Sequence, residues 1–215
     1  MTTPLILPLF PLHTVLFPGG YLPLRIFETR YIDMVRSSLR ESRPFGVVLI
    51  KQGSEVCPTS ADAEATAFYP VGTTARIVDT DLAPDGMLHI DTQGLQRFRV
   101  ARSWVERDGL VQAEVHLMPH VAATEPIAGV DRLRDFLHRI MGDEASDSPS
   151  SPVGDQPQDA PQDNPRNDPW DDPVWVVYRL MERLPIKFED RQRVLGAERL
   201  DLTVRHLSLM IAAFE

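Results

Sequence analysis

Apolar residues along this chain change their spacing once. From Leu5 to Met118, apart from one early helical stretch, they fall at alternate positions or in short unbroken runs, and after Pro119 they recur every three or four residues. Alternation marks half-buried strands, an unbroken β-branched run marks a strand buried on both faces, and a three-to-four period marks amphipathic helices. The first part is therefore read as sheet and the second as helix. Val15 to Phe27 reads as a strand pair, or one bent strand, around "FPGGY". Beyond that turn Leu22, Leu24 and Ile26 share one face, while Tyr21, Pro23, Arg25 and Phe27 share the other. "TRYIDMVRSSLRES" is the one early helix, with Thr29 as expected N-cap, Tyr31, Ile32, Val35 and Leu39 as its apolar stripe and Pro44 as its stop. "FGVVLIK" predicts a doubly buried strand, and 53–66 reads as a loop. "APDG" at Ala83–Gly86 and "ERDG" at Glu106–Gly109 predict two hairpin turns, and Gly94 is expected to bend the strand between them.

In the helical part, "TEPIAGVDRLRDFLHRIM" predicts a helix capped by Thr124 with Pro126 in its first turn. Asp172 is the expected cap of a helix that opens on Pro173 and breaks at "LPI", Leu184–Ile186. "FEDRQRVL" makes a short helix, and Glu198–Phe214 a last one. Two regions result: a β-rich part over 1–119 and a helical bundle over 120–215, the latter interrupted at 142–173.

Composition sharpens this division. The net charge of −9 is not spread evenly: Gly142 to Pro173 holds seven prolines, nine acidic residues and one Arg, which is −8 and leaves −1 for everything else. Such a segment has too few apolar residues to pack and is expected to be a solvated, disordered insert. An acidic chain is a poor match for nucleic-acid phosphates. A single cysteine, Cys57, excludes an intramolecular disulfide and fits a reducing compartment, so the cytoplasm is the expected location. The apolar opening stretch lacks the features of an export signal or membrane anchor. Its first Lys or Arg is Arg25, and Pro4, Pro8, Pro11, Pro18 and Pro23 break any helix through it.

The residue types that carry chemistry do not converge. There is no Gly-Lys-Ser/Thr phosphate loop and no Gly-x-Ser-x-Gly. His116 and His120 are four apart, but Pro119 between them rules out the helix that would aim both at a metal. Asp79/Asp81 and Asp171/Asp172 lie in turn-like sequence. Arg97, Arg99 and Arg102 alternate along one strand and read as a solvated sheet face. No cofactor, no metal and no catalytic group is expected.

Three stretches carry a family resemblance. "LPLFPLHTVLFPGGYLPLRIFETRYIDMV" resembles the start of the amino-terminal domain of Lon proteases, and more closely the stand-alone bacterial proteins built on that domain. "YPVGTTARIVDTDLAPDGMLHIDTQGLQRFRV", Tyr69–Val100, resembles that family's second signature, and Leu184–Leu200 matches more weakly. The resemblance implies an α+β fold: an amino-terminal PUA-like β pseudobarrel with one early helix, then a carboxy-terminal helical bundle. It also implies a role in recognising unfolded or degron-bearing protein segments, without the ATPase and Ser–Lys protease modules of full-length Lon, and with a separate ATPase or protease as a potential partner. Binding is expected in the concavity between barrel and bundle, with Leu22, Arg25, Phe27 and Tyr31 as candidate contacts. PUA-like folds include RNA binders, so RNA binding is the alternative, and an inherited peptidase activity is the third reading.

Overall fold

The computed structural model describes residues 4–53, 67–83, 87–121, 128–147 and 169–212. Cys57, the centre of "APDG", Thr124, Pro126 and most of the acidic insert lie outside these residues. The fold is α+β and divides into two compact units, one of Met1–His120 with Pro185–Ala197, the other of Val121–Leu184 with Glu198–Glu215.

The first unit holds one six-stranded sheet: β1 (Leu5–Leu12), β2 (Tyr21–Ile26), β3 (Phe45–Gln52), β4 (Ala67–Leu82), β5 (Leu88–Val105) and β6 (Val111–Leu117). Their order is β2-β5-β4-β3-β1-β6, and β5 also pairs with β6. That extra ladder, Phe98↔Leu117 to Val105↔Val111, closes the sheet on itself. β5 manages this because it is 18 residues long and bulged. Its first half pairs with β2 and its second with β6, while β4 runs along it. The expected bend at Gly94 is a one-residue bulge just after it, in a strand that continues unbroken; the Thr74 hydroxyl donates to Gln96 O and accepts from Gln96 N–H, both at 3.1 Å. Gly94 itself serves close approach, since a Cβ there would lie 2.3 Å from Phe17 O.

Alternation sends the two faces of β1 and β3 into separate cores. Phe10, Leu12, Phe45 and Val47 pack with Ile26, Tyr31, Met34 and Val35. Leu7, Leu9 and Val48 pack around Phe98, Ala113 and Val115. β3 is thus buried on both faces, as its unbroken run predicts. Gly46 and Gly72 leave room for the Phe98 ring: a Cβ on either would sit 2.8 and 2.7 Å from its Cζ.

Helix α1 (Thr29–Glu41) differs from its expected outline in three ways. Glu28, not Thr29, is the N-cap residue, and its carboxylate pairs with Arg30 at 2.9 Å instead of capping. The buried face is Tyr31, Met34, Val35 and Ser38, so Leu39 is left exposed. The helix stops at Ser42, in the left-handed region with φ 51°, two residues before Pro44; the Arg43 N–H donates to Ser38 O at 3.0 Å.

The short helix α4 (Phe188–Gly196) belongs to this unit too. Gln192 Nε2 donates to Val71 O at 2.9 Å. Arg97, expected on a solvated face, is instead 4% exposed. Its guanidinium donates to Leu195 O, Ala197 O and Pro119 O at 2.8, 2.7 and 3.0 Å. A cation at a helix C-terminus satisfies carbonyls that have no partner within the helix. Arg99 and Arg102 are exposed, and Arg102 pairs with Glu114 at 2.7 Å.

The second unit comprises α2 (Val130–Asp147), a short 3-10 helix (Pro169–Asp171), α3 (Pro173–Arg183) and α5 (Asp201–Ala212). α2 starts after Gly129, at φ 96°, and continues to Asp147, so the acidic insert does not interrupt the helix at Gly142. Leu133 and Leu137 of α2, Val177 and Leu180 of α3, and Val204, Leu207 and Ile211 of α5 are among its buried apolar residues. Asp172 caps α3 as read, its Oδ1 accepting from Val174 N–H at 2.9 Å. Trp170 stacks on His138 at 3.7 Å, and its carbonyl accepts from Arg134 Nε at 2.7 Å.

Candidate functional site

Two concave surfaces that could hold a ligand flank α1. On one side β2 and the start of the helix enclose a cleft of about 170 Å³ lined by Pro23, Leu24, Arg25, Phe27, Glu28 and Tyr31, among others. Three of the four candidate contacts meet there. Their accessibility differs, because alternation along β2 turns Arg25 and Phe27 outward. Phe27 is 60% exposed, whereas Tyr31 is 3% exposed and stacked on Phe10 at 4.0 Å. Tyr31 thus forms the wall of the cleft. Leu22 lies outside it and packs against the core under α1.

On the other side lies a larger groove of about 820 Å³. Its lining comes from Pro4–Pro8 of β1 and its approach, from Arg30, Asp33, Met34, Ser37, Ser38 and Glu41, from Arg43 and Pro44, and from Asp108, Leu110 and Gln112. The helical residues recur at three and four positions and so share one face of α1. Arg30 organises the end near the β5–β6 turn. Its side chain is largely buried, bonds Glu28, lies 4.5 Å over the Tyr31 ring and donates to Gly109 O at 2.6 Å. That turn is the expected one at Glu106–Gly109, with Gly109 at φ 85° and the Glu106 N–H donating to Leu110 O at 2.8 Å. At the far end Glu41 accepts from Ser37 Oγ and Arg40 Nη2, at 3.2 and 3.3 Å. The hydrogen bond from Arg40, then that from Ser37, holds the Glu41 carboxyl below the usual glutamate range.

None of the groove's lining is among the candidate contacts expected from the sequence. Arg30, Asp33, Ser37 and Glu41 look like the ordinary solvated stripe of a helix, and Leu5 and Ile6 like the start of a strand. Only the fold sets that stripe against β1.

Among the described residues no histidine or cysteine lines the groove. Its described lining offers apolar surface, carboxylates, guanidiniums, the hydroxyls of Ser37 and Ser38 and backbone, with the Ser37 hydroxyl donating to the Glu41 carboxylate. Among the described residues no three His, Cys, Asp or Glu side chains converge as a metal site, and no helix is long and apolar enough to cross a membrane. Of the three alternating arginines, Arg97 is committed to carbonyls and Arg102 to Glu114.

Comparison with known proteins gives a consistent pattern. The model of the "ATP-dependent protease La (LON) substrate-binding domain" matches residues 6–211. The crystal structure of a Lon N-terminal domain protein from Xanthomonas campestris is similar with a TM-score of 0.70 and 32% identity, covering 97% of this chain and 98% of that one. Lon protease of Anaeromyxobacter dehalogenans is 33% identical over 60% of this chain and 14% of its own length. Lon protease 2 of Myxococcus xanthus is 35% identical over 57% of this chain and 13% of its own length. The aligned part is thus about a seventh of those proteases.

Proposed function

This chain belongs to the family of the LON substrate-binding domain, and from that premise we propose that it is a non-catalytic module that binds segments of other proteins. The observation that carries the reading is the groove beside α1. It combines volume, exposed apolar side chains and flanking charges. Ligand-binding clefts of several hundred Å³ have this mix of apolar walls and a few polar groups. The smaller cleft adds Arg25 and Phe27 as a second set of contacts, with Leu22 and Tyr31 as their support from the core. The clients are unfolded or degron-bearing segments, the setting is the cytoplasm, and a separate ATPase or protease consumes what is bound.

The test is fluorescence anisotropy of labelled, natively unfolded β-casein with the full chain. Saturable binding, weakened about tenfold by Phe27→Ala with an unchanged melting curve, is the expected result. No binding of casein at any protein concentration short of aggregation overturns the reading. Casein cleavage that survives repurification and is lost on a point substitution overturns its non-catalytic part.

A further inference from the structure

We propose that the larger groove takes an extended segment of another protein as an added β-strand, hydrogen-bonded to the free edge of β1 at Leu5–Leu7. The inference rests on the reading that the chain binds protein segments, and it specifies how.

The opening lies in the ladders of β1. β6 pairs with Leu5 to Leu9 on one side, and β3 pairs with Leu9 to Leu12 on the other. Opposite Leu5–Leu7, on the β3 side, none of the described residues forms a strand. Running the parallel register back from Leu9↔Gly46 would set Pro44 against Leu7 and Arg43 against Ile6. Neither can extend the ladder. Pro44 has no N–H, Ser42 has turned left-handed, and the Arg43 N–H is spent on Ser38 O. The chain has already turned away into α1, and among the described residues none fills the slot in line with β3.

In a strand, alternate residues direct their N–H and C=O to opposite sides. β6 satisfies one set on Leu5–Leu7; the other set faces the groove. The complement of such an edge is another backbone in extended form, about 4.8 Å away. The side chains there suit an unfolded, apolar segment: Ile6 is 60% and Leu5 38% exposed, and Met34 lies beside them.

Charge selects among sources of that segment. The lining holds Asp33, Glu41 and Asp108 against Arg30 and Arg43; Arg30 is held in a largely buried pair with Glu28, whereas the pairs of Asp33 with Arg36 and of Glu41 with Arg40 and Arg43 are exposed and weak. A segment with Lys or Arg interleaved among apolar residues fits, whereas this chain's own acidic stretch, −8 over Gly142–Pro173, does not. A second copy would bring a whole sheet edge, and the polar row Asp33, Ser37 and Glu41 of α1 borders the slot on the helix side; a lone strand needs less room.

The experiment uses the full chain and a short fluorescein-labelled peptide alternating valine and lysine. Two derivatives carry backbone N-methyl groups, one on every valine, the other on every lysine. The parent peptide should bind and slow amide hydrogen exchange over residues 4–8. One methylated derivative should bind about tenfold more weakly or worse, and the other within about twofold of the parent, because only one set of amides faces β1. A valine–glutamate peptide should bind more weakly than the parent. Equal binding of parent and both methylated peptides, or binding without altered exchange at 4–8, overturns strand addition while leaving casein binding intact. Failure of both casein and peptide overturns this inference and the function together. A concentration-dependent dimer that Ile6→Lys abolishes overturns the choice of occupant.

Discussion

The barrel unit and the helical unit bury similar apolar side chains over different sequence distances. In the barrel, neighbours come from remote stretches: Leu5 lies against Val115, Leu9 against Gly46, and Phe98 against Leu117. In the helical unit the residues that share a core face are a turn apart, as with Leu133 and Leu137, or Val204, Leu207 and Ile211. A closed ring leaves few ways to relax around a missing residue, whereas a helix terminus can fray locally. Damage should therefore be general in the barrel and local at the ends of helices.

Phe98 offers the strongest way to break that contrast. It is fully buried, and glycines at 46 and 72 make room for its ring. Phe98→Ala should cost about 3–5 kcal/mol, read as a lower urea midpoint, with loss of exchange protection in several strands at once. Confinement of that loss to β5 would refute the closed-ring account. Arg97→Met is next, at about 3 kcal/mol, because three carbonyls lose their donor. It is the sharper experiment, since it separates a latch from a core: α4 amides should exchange faster while those of β3 keep most of their protection.

In the helical unit Asp172→Ala removes one cap bond and should cost about 1 kcal/mol, with faster exchange only in the first turn of α3. Smallest is Glu41, exposed at the edge of the groove. Its carboxyl titrates below the ordinary value, so its contribution is present above the unfolded value and is lost as pH falls through the lowered folded one. An NMR titration should place its midpoint below an ordinary glutamate, and Arg40→Gln should raise it.

Legibility followed the same line. The doubly buried β3, the outward Arg25 and Phe27, the Asp172 cap and the "ERDG" turn could be read because each rests on neighbouring residues. The α1 N-terminus could not, because Arg30 draws the Glu28 carboxylate away from capping. The burial of Leu39 was misjudged by one helical position, because the core lies toward Met34 and Ser38. Of the candidate contacts, Tyr31 lies on the apolar stripe its spacing predicts, but what it packs on is a tertiary matter: the Phe10 ring of β1 stacks against it.

What the residues determined by themselves was the order of elements, the change of period at Pro119 and the family signatures, all set by local spacing and turn chemistry. Only the tertiary structure decided that Arg97 is a buried latch while Arg99 and Arg102 of the same strand are solvated, since three carbonyls from two distant segments meet there. It likewise decided that Leu5–Leu7 keeps a free edge beside α1. An unpaired backbone has no sequence signature: it is defined by the strand that is missing next to it, and here Ser42 and Pro44 turn that strand away.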